Sequence, residues 1–269
     1  MMDFFVALFS QTIFCYALCA GFFASVVAGV IGTLINLKNV ATISGGIAHA
    51  ILGGIGIAYF FGLSEIGGAL VFALVVALLI SWIHFYFREN ENVVITALWA
   101  LGMALGLIFM YLTPGYSTDL TTYIFGSLVF LTQAEVVLIG VLAGGLVLIV
   151  GLFYRQFVAL IFDPEQAELR GLRTKLIYTL LIGLIALSVV ILLKITGLIL
   201  LLALLTLPAA VSRMFSKNIP RIMLLAAVLC FGTVLLGFCL AYFFELPTGA
   251  VIVLTLGLVY FGALLLRGC

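Results

Sequence analysis

Of the two histidines in this 269-residue chain, only His49 falls well inside an apolar segment and not at its end. A histidine at membrane depth is costly and uncommon, and neutral imidazole is the most frequent side-chain ligand of transition metals. His49 is therefore a candidate contact for a metal ion. One imidazole does not make a metal site, since zinc takes about four ligands, and nearby Ser44 is a poor one. The glycines around it, Gly45, Gly46, Gly53, Gly54 and Gly56, equally suit a close helix crossing in which the ring hydrogen-bonds a backbone carbonyl. Both readings stay open on spacing alone. The other histidine, His84, lies one turn before Arg88 and reads as an interfacial side chain.

What is missing narrows the chemistry. All ten acidic residues, Asp3, Glu65, Glu89, Glu91, Asp119, Glu135, Asp163, Glu165, Glu168 and Glu245, fall at segment ends or in loops. Carriers driven by protons or sodium keep carboxylates within their spans. No GxxxxGK[ST] loop is present, so uphill transport would draw its energy from a partner. No nucleophile–base pair or paired carboxylates share a helix turn in the apolar segments, so the chain is not expected to be an enzyme. The five cysteines, Cys15, Cys19, Cys230, Cys239 and Cys269, form no CxxC pair and read as small buried residues. A net charge of +1 with scattered basic residues gives no nucleic-acid footprint.

The elements that must carry His49 are membrane helices. The chain is 66% hydrophobic and 8% charged, with a mean hydropathy of +1.45, whereas a soluble domain carries about 25% charged residues. Almost no polar stretch is long enough for a second domain, so residues 1–269 are expected to form a single transmembrane domain, an all-α polytopic helix bundle. Nine apolar segments can be marked: 12–35, 43–61, 66–86, 91–112, 135–153, 175–193, 197–214, 222–244 and 249–266. A merged or re-entrant pair would give eight or ten crossings. His49 then lies six residues into its segment, about 9 Å from the end at helical rise.

Basic residues in short loops favour the cytoplasmic side. With Lys38 inside, Arg88, the group Arg155, Arg170, Arg173 and Lys175, the group Arg213, Lys217 and Arg221, and Arg267 all fall inside as well. The opposite connections, 63–67, 113–134 and 245–249, carry no Lys or Arg, and Lys194 alone is placed outside. This puts the N-terminus outside and the C-terminus inside. The stretch MMDFFVALFSQ has no basic n-region or cleavage pattern, so the first segment is expected to be retained.

Two connections are longer than a turn. The outer one holds Asp119, Tyr123 and Phe125, suited to a short interfacial helix. The inner one, YRQFVALIFDPEQAELRGLRTK, is the only markedly charged stretch. Asp163 followed by Pro164 starts a helix, Glu165 and Glu168 suit its positive end, and Gly171 stops it, giving about two turns. Docking element and solvated connector are both open readings of that helix. Thr96, Thr206 and Thr233 are expected to bond back to their own helices, and Pro208 to kink or break the seventh segment.

Taken in order, these stretches resemble the membrane permease subunits of bacterial and archaeal ABC importers for zinc, manganese and iron. SGGIAHAILGGIGIAYFFG at 44–62 is similar to that family's GDALSHAVLPGIALAYLLG, and ENVVITALWALGMALG at 91–106 to its EDTAIGILFxLGMALG. DLTTYIFGS at 119–127, FDPEQAELRGL at 162–172, TGLILLLALLTLPAAVSRM at 196–214 and LPTGAVIVL at 246–254 continue the likeness in register. The resemblance implies a permease of the plasma membrane that forms the path for a divalent transition metal ion and holds no permanent cofactor. It implies a separate ATPase subunit, an extracytoplasmic metal-binding protein and a second copy of the chain as partners within the lipid bilayer. It puts His49 on the path, and Asp163, Pro164, Glu165, Ala167 and Gly171 in the helix that couples to the ATPase. Family members commonly carry an aspartate where this chain has Gly45, and acidic residues where it has Asn92 and Ser127. The more neutral set favours zinc over manganese or iron. A permease for a metal chelate such as cobalamin or a siderophore, and a passive channel without an ATPase, are the rivals.

Overall fold

A run of 42 helical residues at 1.5 Å each would measure about 63 Å, twice the roughly 30 Å hydrocarbon core of a bilayer. Thr174–Phe215 is such a run, and it is broken at Gly197, whose φ of 73° and ψ of 175° lie outside helical space. An L-residue with a side chain is strained there, so glycine sets the break. The computed structural model describes residues 12–87, 91–113 and 131–268, and its regular structure is helical throughout. In chain order the helices are α1 (Thr12–Lys38), α2 (Ala41–Phe60), α3 (Glu65–Tyr86), α4 (Glu91–Leu112), α5 (Gln133–Leu152), α6 (Tyr154–Phe162), α7 (Pro164–Leu169), α8 (Thr174–Phe215), α9 (Ile219–Phe244) and α10 (Thr248–Gly268).

Eight of these are long and apolar enough to cross a membrane. The nine apolar segments of the sequence correspond to them because α8 contains two, one on each side of Gly197. Pro208, expected to kink or break the later segment, does not break it: Gly197 is the position with non-helical backbone inside α8. Proline removes one amide donor but holds a φ compatible with a helix. The interfacial helix expected around Tyr123 and Phe125 lies outside the described residues, as do Asp119, Ser127 and Cys269. The inner connection holds one more helix than its sequence suggested, the amphipathic α6, which buries Phe157 and Leu160.

The chain separates into two compact units. One holds α1, most of α5, the part of α8 from Ile191 onward, α9 and α10; the other holds α2 to α4, α6, α7 and the start of α8. In the first unit, Lys194 Nζ pairs with Glu135 Oε1 at 3.2 Å. Farther along α8, Thr206 O accepts from Asn36 Nδ2 at 3.0 Å, and Arg213 donates to Asn36 O at 2.7 Å. From Lys194, just before the break, to Arg213, α8 thus leads from the start of α5 to the end of α1. Each pair joins residues that the charge pattern places on one side of the membrane.

Between apolar helices in lipid, association rests on close packing at small residues. In the second unit α2 meets α4 this way: a Cβ at Gly102 would lie 2.6 Å from Ala50 Cα, and one at Gly53 would lie 2.8 Å from Gly102 O. In the first unit, Gly29 of α1 meets Ala227 of α9 with the same closeness, 2.7 Å to its nitrogen. Hydroxyls in the spans are satisfied within their own helices: Thr96 donates to Asn92 O at 2.7 Å, Thr206 to Leu202 O at 2.7 Å and Thr233 to Leu229 O at 3.0 Å. All three follow the back-bonding expected of them. Gly102→Leu should therefore force α2 and α4 apart at a cost of about 1–3 kcal/mol, seen as an earlier melting transition of the detergent-solubilised protein. Gly145→Ala, where nothing lies within 4 Å, serves as the neutral control.

Candidate functional site

His49 is eight residues into α2, about 12 Å from Ala41 at helical rise. The glycine contacts between α2 and α4 bring their facing side chains into direct contact, and the imidazole lies flat on the indole of Trp99. The ring centroids are 4.2 Å apart and the planes 9° from parallel. Trp99 is anchored in turn, its Nε1 donating to Met103 Sδ at 2.9 Å one turn farther along α4. The carbonyl-bonded imidazole that plain packing would require is not seen at Nδ1, which is buried and has no hydrogen-bond partner. Trp99 is 39% exposed, so the pair opens onto the surface of the described chain rather than lying sealed inside it.

The donors around this pair are neutral. Thr42 Oγ1 reaches Asn92 Oδ1 at 3.2 Å on the neighbouring turns of α2 and α4, and Gly45 contributes no side chain. Among the described residues no group of three His, Cys, Asp or Glu is placed to hold a metal ion. The arrangement can make one imidazole contact with a passing cation; it is not built to keep one. Trp99 and Met103 were missed by the sequence reading, although their spacing of four residues puts them on one helix face. His84 sits exposed near the end of α3 and stacks on Tyr178 at 4.3 Å, as an interfacial ring does.

The second cluster is the charged connection. Asp163 caps α7, its Oδ1 accepting from Gln166 N at 2.8 Å, and Pro164 takes the first helical position. At the other end Gly171, at φ 81°, donates to Glu168 O at 2.9 Å while Leu172 N donates to Ala167 O at 3.1 Å. That pair of bonds with a left-handed glycine is a Schellman stop. Ala167 is turned inward, 3% exposed, while Glu165 and Glu168 face solvent and Leu169 is 87% exposed. Ala167 thus seats the helix against its own protein. The outward apolar residue, Leu169, was not singled out from the sequence.

Behind α7 lies a groove of about 540 Å³ shared with α6, lined by Arg155, Phe162, Asp163, Gln166, Arg170 and Leu172. Gln156 at its wall has a buried Oε1 with no partner. Within the second unit, which begins at Leu37, Lys38 Nζ lies 3.5 Å from Leu160 O of α6.

Eight helices long and apolar enough to cross a bilayer make this a multi-pass membrane protein, and its likeness to known proteins places it among transport proteins of the plasma membrane. The chain belongs to the ABC 3 transport family, whose pattern matches residues 10–267. It is 37% identical over 257 residues to a "Probable metal transport system membrane protein" of Chlamydia trachomatis serovar D, covering 93% of this chain and 88% of that one. It is 30% identical over 249 residues to the "Manganese transport system membrane protein MntC" of Listeria monocytogenes, covering 93% and 89%. Among solved structures, PsaBC from Streptococcus pneumoniae in complex with Fab superposes with a TM-score of 0.87 at 25% identity, over 97% of this chain and 94% of that one.

Proposed function

We propose that this chain is the permease subunit of an ATP-binding-cassette importer and forms the translocation path for a divalent transition metal ion. The observation that carries the reading is the match of family pattern over residues 10–267, and the placement of an unpartnered imidazole nitrogen on a glycine-packed helix crossing is consistent with it. Zinc is the preferred cargo, ahead of manganese and iron. With glycine at position 45 and asparagine at 92, no carboxylate faces His49 from the positions where relatives of this kind commonly carry one, and an imidazole without carboxylates suits a borderline ion better than a hard one.

In this reading the chain hydrolyses nothing. A separate ATPase supplies the energy, an extracytoplasmic binding protein delivers the ion, and two copies of the chain enclose the path in the bilayer. The N-terminus lies outside and the C-terminus inside. α7, with Glu165 and Leu169 outward and Gly171 ending it, seats in the ATPase so that closure of the nucleotide sites rocks the two permeases between outward and inward openings. His49 gives the ion one weak contact on the way, which favours release over retention.

The test is ATP-dependent uptake by the complex reconstituted in proteoliposomes, with zinc, manganese and iron(II) in direct competition. The expected result is ATP-dependent zinc accumulation that excess manganese displaces poorly. Purification of the chain without an ATPase, or uptake that continues without ATP, would favour a passive channel and overturn the proposal.

A further inference from the structure

We propose that Trp99 is a positioning and selectivity residue of the path, clamping His49 so that the indole face supports the charge the imidazole takes on when it binds a metal ion. This inference rests on the transport reading above. Three observations carry it. The rings are parallel and 4.2 Å apart, and the indole is itself fixed through Met103. The glycines at 53 and 102 hold α2 and α4 in close contact about one turn beyond the two rings, which fixes the register that sets them face to face. The buried Nδ1 of His49 makes no hydrogen bond, although unpaired buried polar atoms are disfavoured.

The chemistry follows from those positions. A metal ion bonds imidazole in the ring plane, through a nitrogen lone pair, so an indole laid on one face does not compete for that position. Metal binding draws electron density from the ring and leaves it partly positive. An electron-rich indole face stabilises a cation laid against it, and here it lies where no carboxylate is available from position 45 or 92. The stabilisation grows with the charge that the metal draws from nitrogen. Zinc, which bonds imidazole more strongly than manganese does, therefore gains more from Trp99. A side chain that only filled space would serve both ions alike.

The experiment measures zinc and manganese uptake, singly and in competition, by the reconstituted permease–ATPase complex. Trp99→Leu, which keeps an apolar side chain but removes the aromatic face, is expected to lower the zinc-to-manganese uptake ratio roughly threefold to tenfold. Trp99→Phe should retain most of the ratio, and Trp99→Leu should change nothing further in a His49→Ala background. A ratio equal to that of the unaltered protein, whether or not total flux falls, overturns the inference. If Trp99→Leu does not assemble, Trp99→Met decides the matter: it fills the space with a flexible apolar side chain that has no aromatic face, and an unchanged ratio overturns the inference as well. Failure of the transport reading looks different, because the unaltered complex would then move neither ion.

Discussion

His49→Ala is expected to reduce ATP-driven zinc uptake by the reconstituted complex roughly tenfold or more, the range lost when a group that shapes a metal contact is removed, while the permease still folds and still holds its ATPase. The two halves of that expectation have separate physical grounds. Uptake should fall because His49 is the only histidine away from the ends of the apolar spans, His84 sitting in the last turn of α3, and no cluster of ligating residues is found among the described residues to take its place. Assembly should survive because Nδ1 makes no hydrogen bond that folding would lose. What folding forfeits is mainly the stacking on Trp99, about 0.5–1.5 kcal/mol for an aromatic pair. The packing of α2 on α4 depends on its glycines and not on the imidazole. Thermal stability measured beside uptake separates the outcomes. A variant that melts early yet transports zinc at the original rate per folded complex would make His49 a packing residue.

Much of this was legible in the sequence because membrane helices are written in composition and punctuation. Each apolar run became a helix, the back-bonded threonines behaved as their chemistry requires, and Asp163, Pro164 and Gly171 ended α7 where caps were expected. The break in α8 falls where the sequence already parted the segments 175–193 and 197–214, but a second break expected at Pro208 did not follow, for a definite reason. Proline advertises itself as a breaker, yet it keeps a helical φ, while Gly197 is one of 28 glycines in the chain and nothing local distinguishes it. The amphipathic α6 was overlooked because nine residues following directly on a crossing look like a tail of that crossing. At the site, His49 stood out by rarity, whereas Trp99 is an aromatic among many in a chain with 13% aromatic residues. Its role depends on the register of two helices, and that register is set by glycine contacts far apart in the chain.

Gly171→Arg is the change expected to separate ATP hydrolysis from uptake most cleanly. α7 has six residues, too few for a helix to persist on its own, so its form depends on the Asp163 cap and the Schellman stop. Gly171 holds φ at 81° to make that stop, and a side chain in left-handed space costs about 1–2 kcal/mol. That is enough to shift a marginal two-turn helix toward disorder roughly fivefold to thirtyfold. The arginine would also add positive charge beside Arg170 and the groove that Arg155 already lines. With α7 loosened, Glu165 and Leu169 no longer present one fixed face to the ATPase, and nucleotide closure has nothing rigid to push. The ratio of zinc taken up per ATP hydrolysed should fall roughly fivefold or more, with the crossings themselves untouched. Gly171→Asn supplies the discriminating control, since asparagine tolerates left-handed backbone and should keep most of the coupling. If Asn and Arg are equally damaging, the stop geometry is not what matters. If Arg leaves the uptake-to-hydrolysis ratio unchanged, α7 is a connector and the docking role falls.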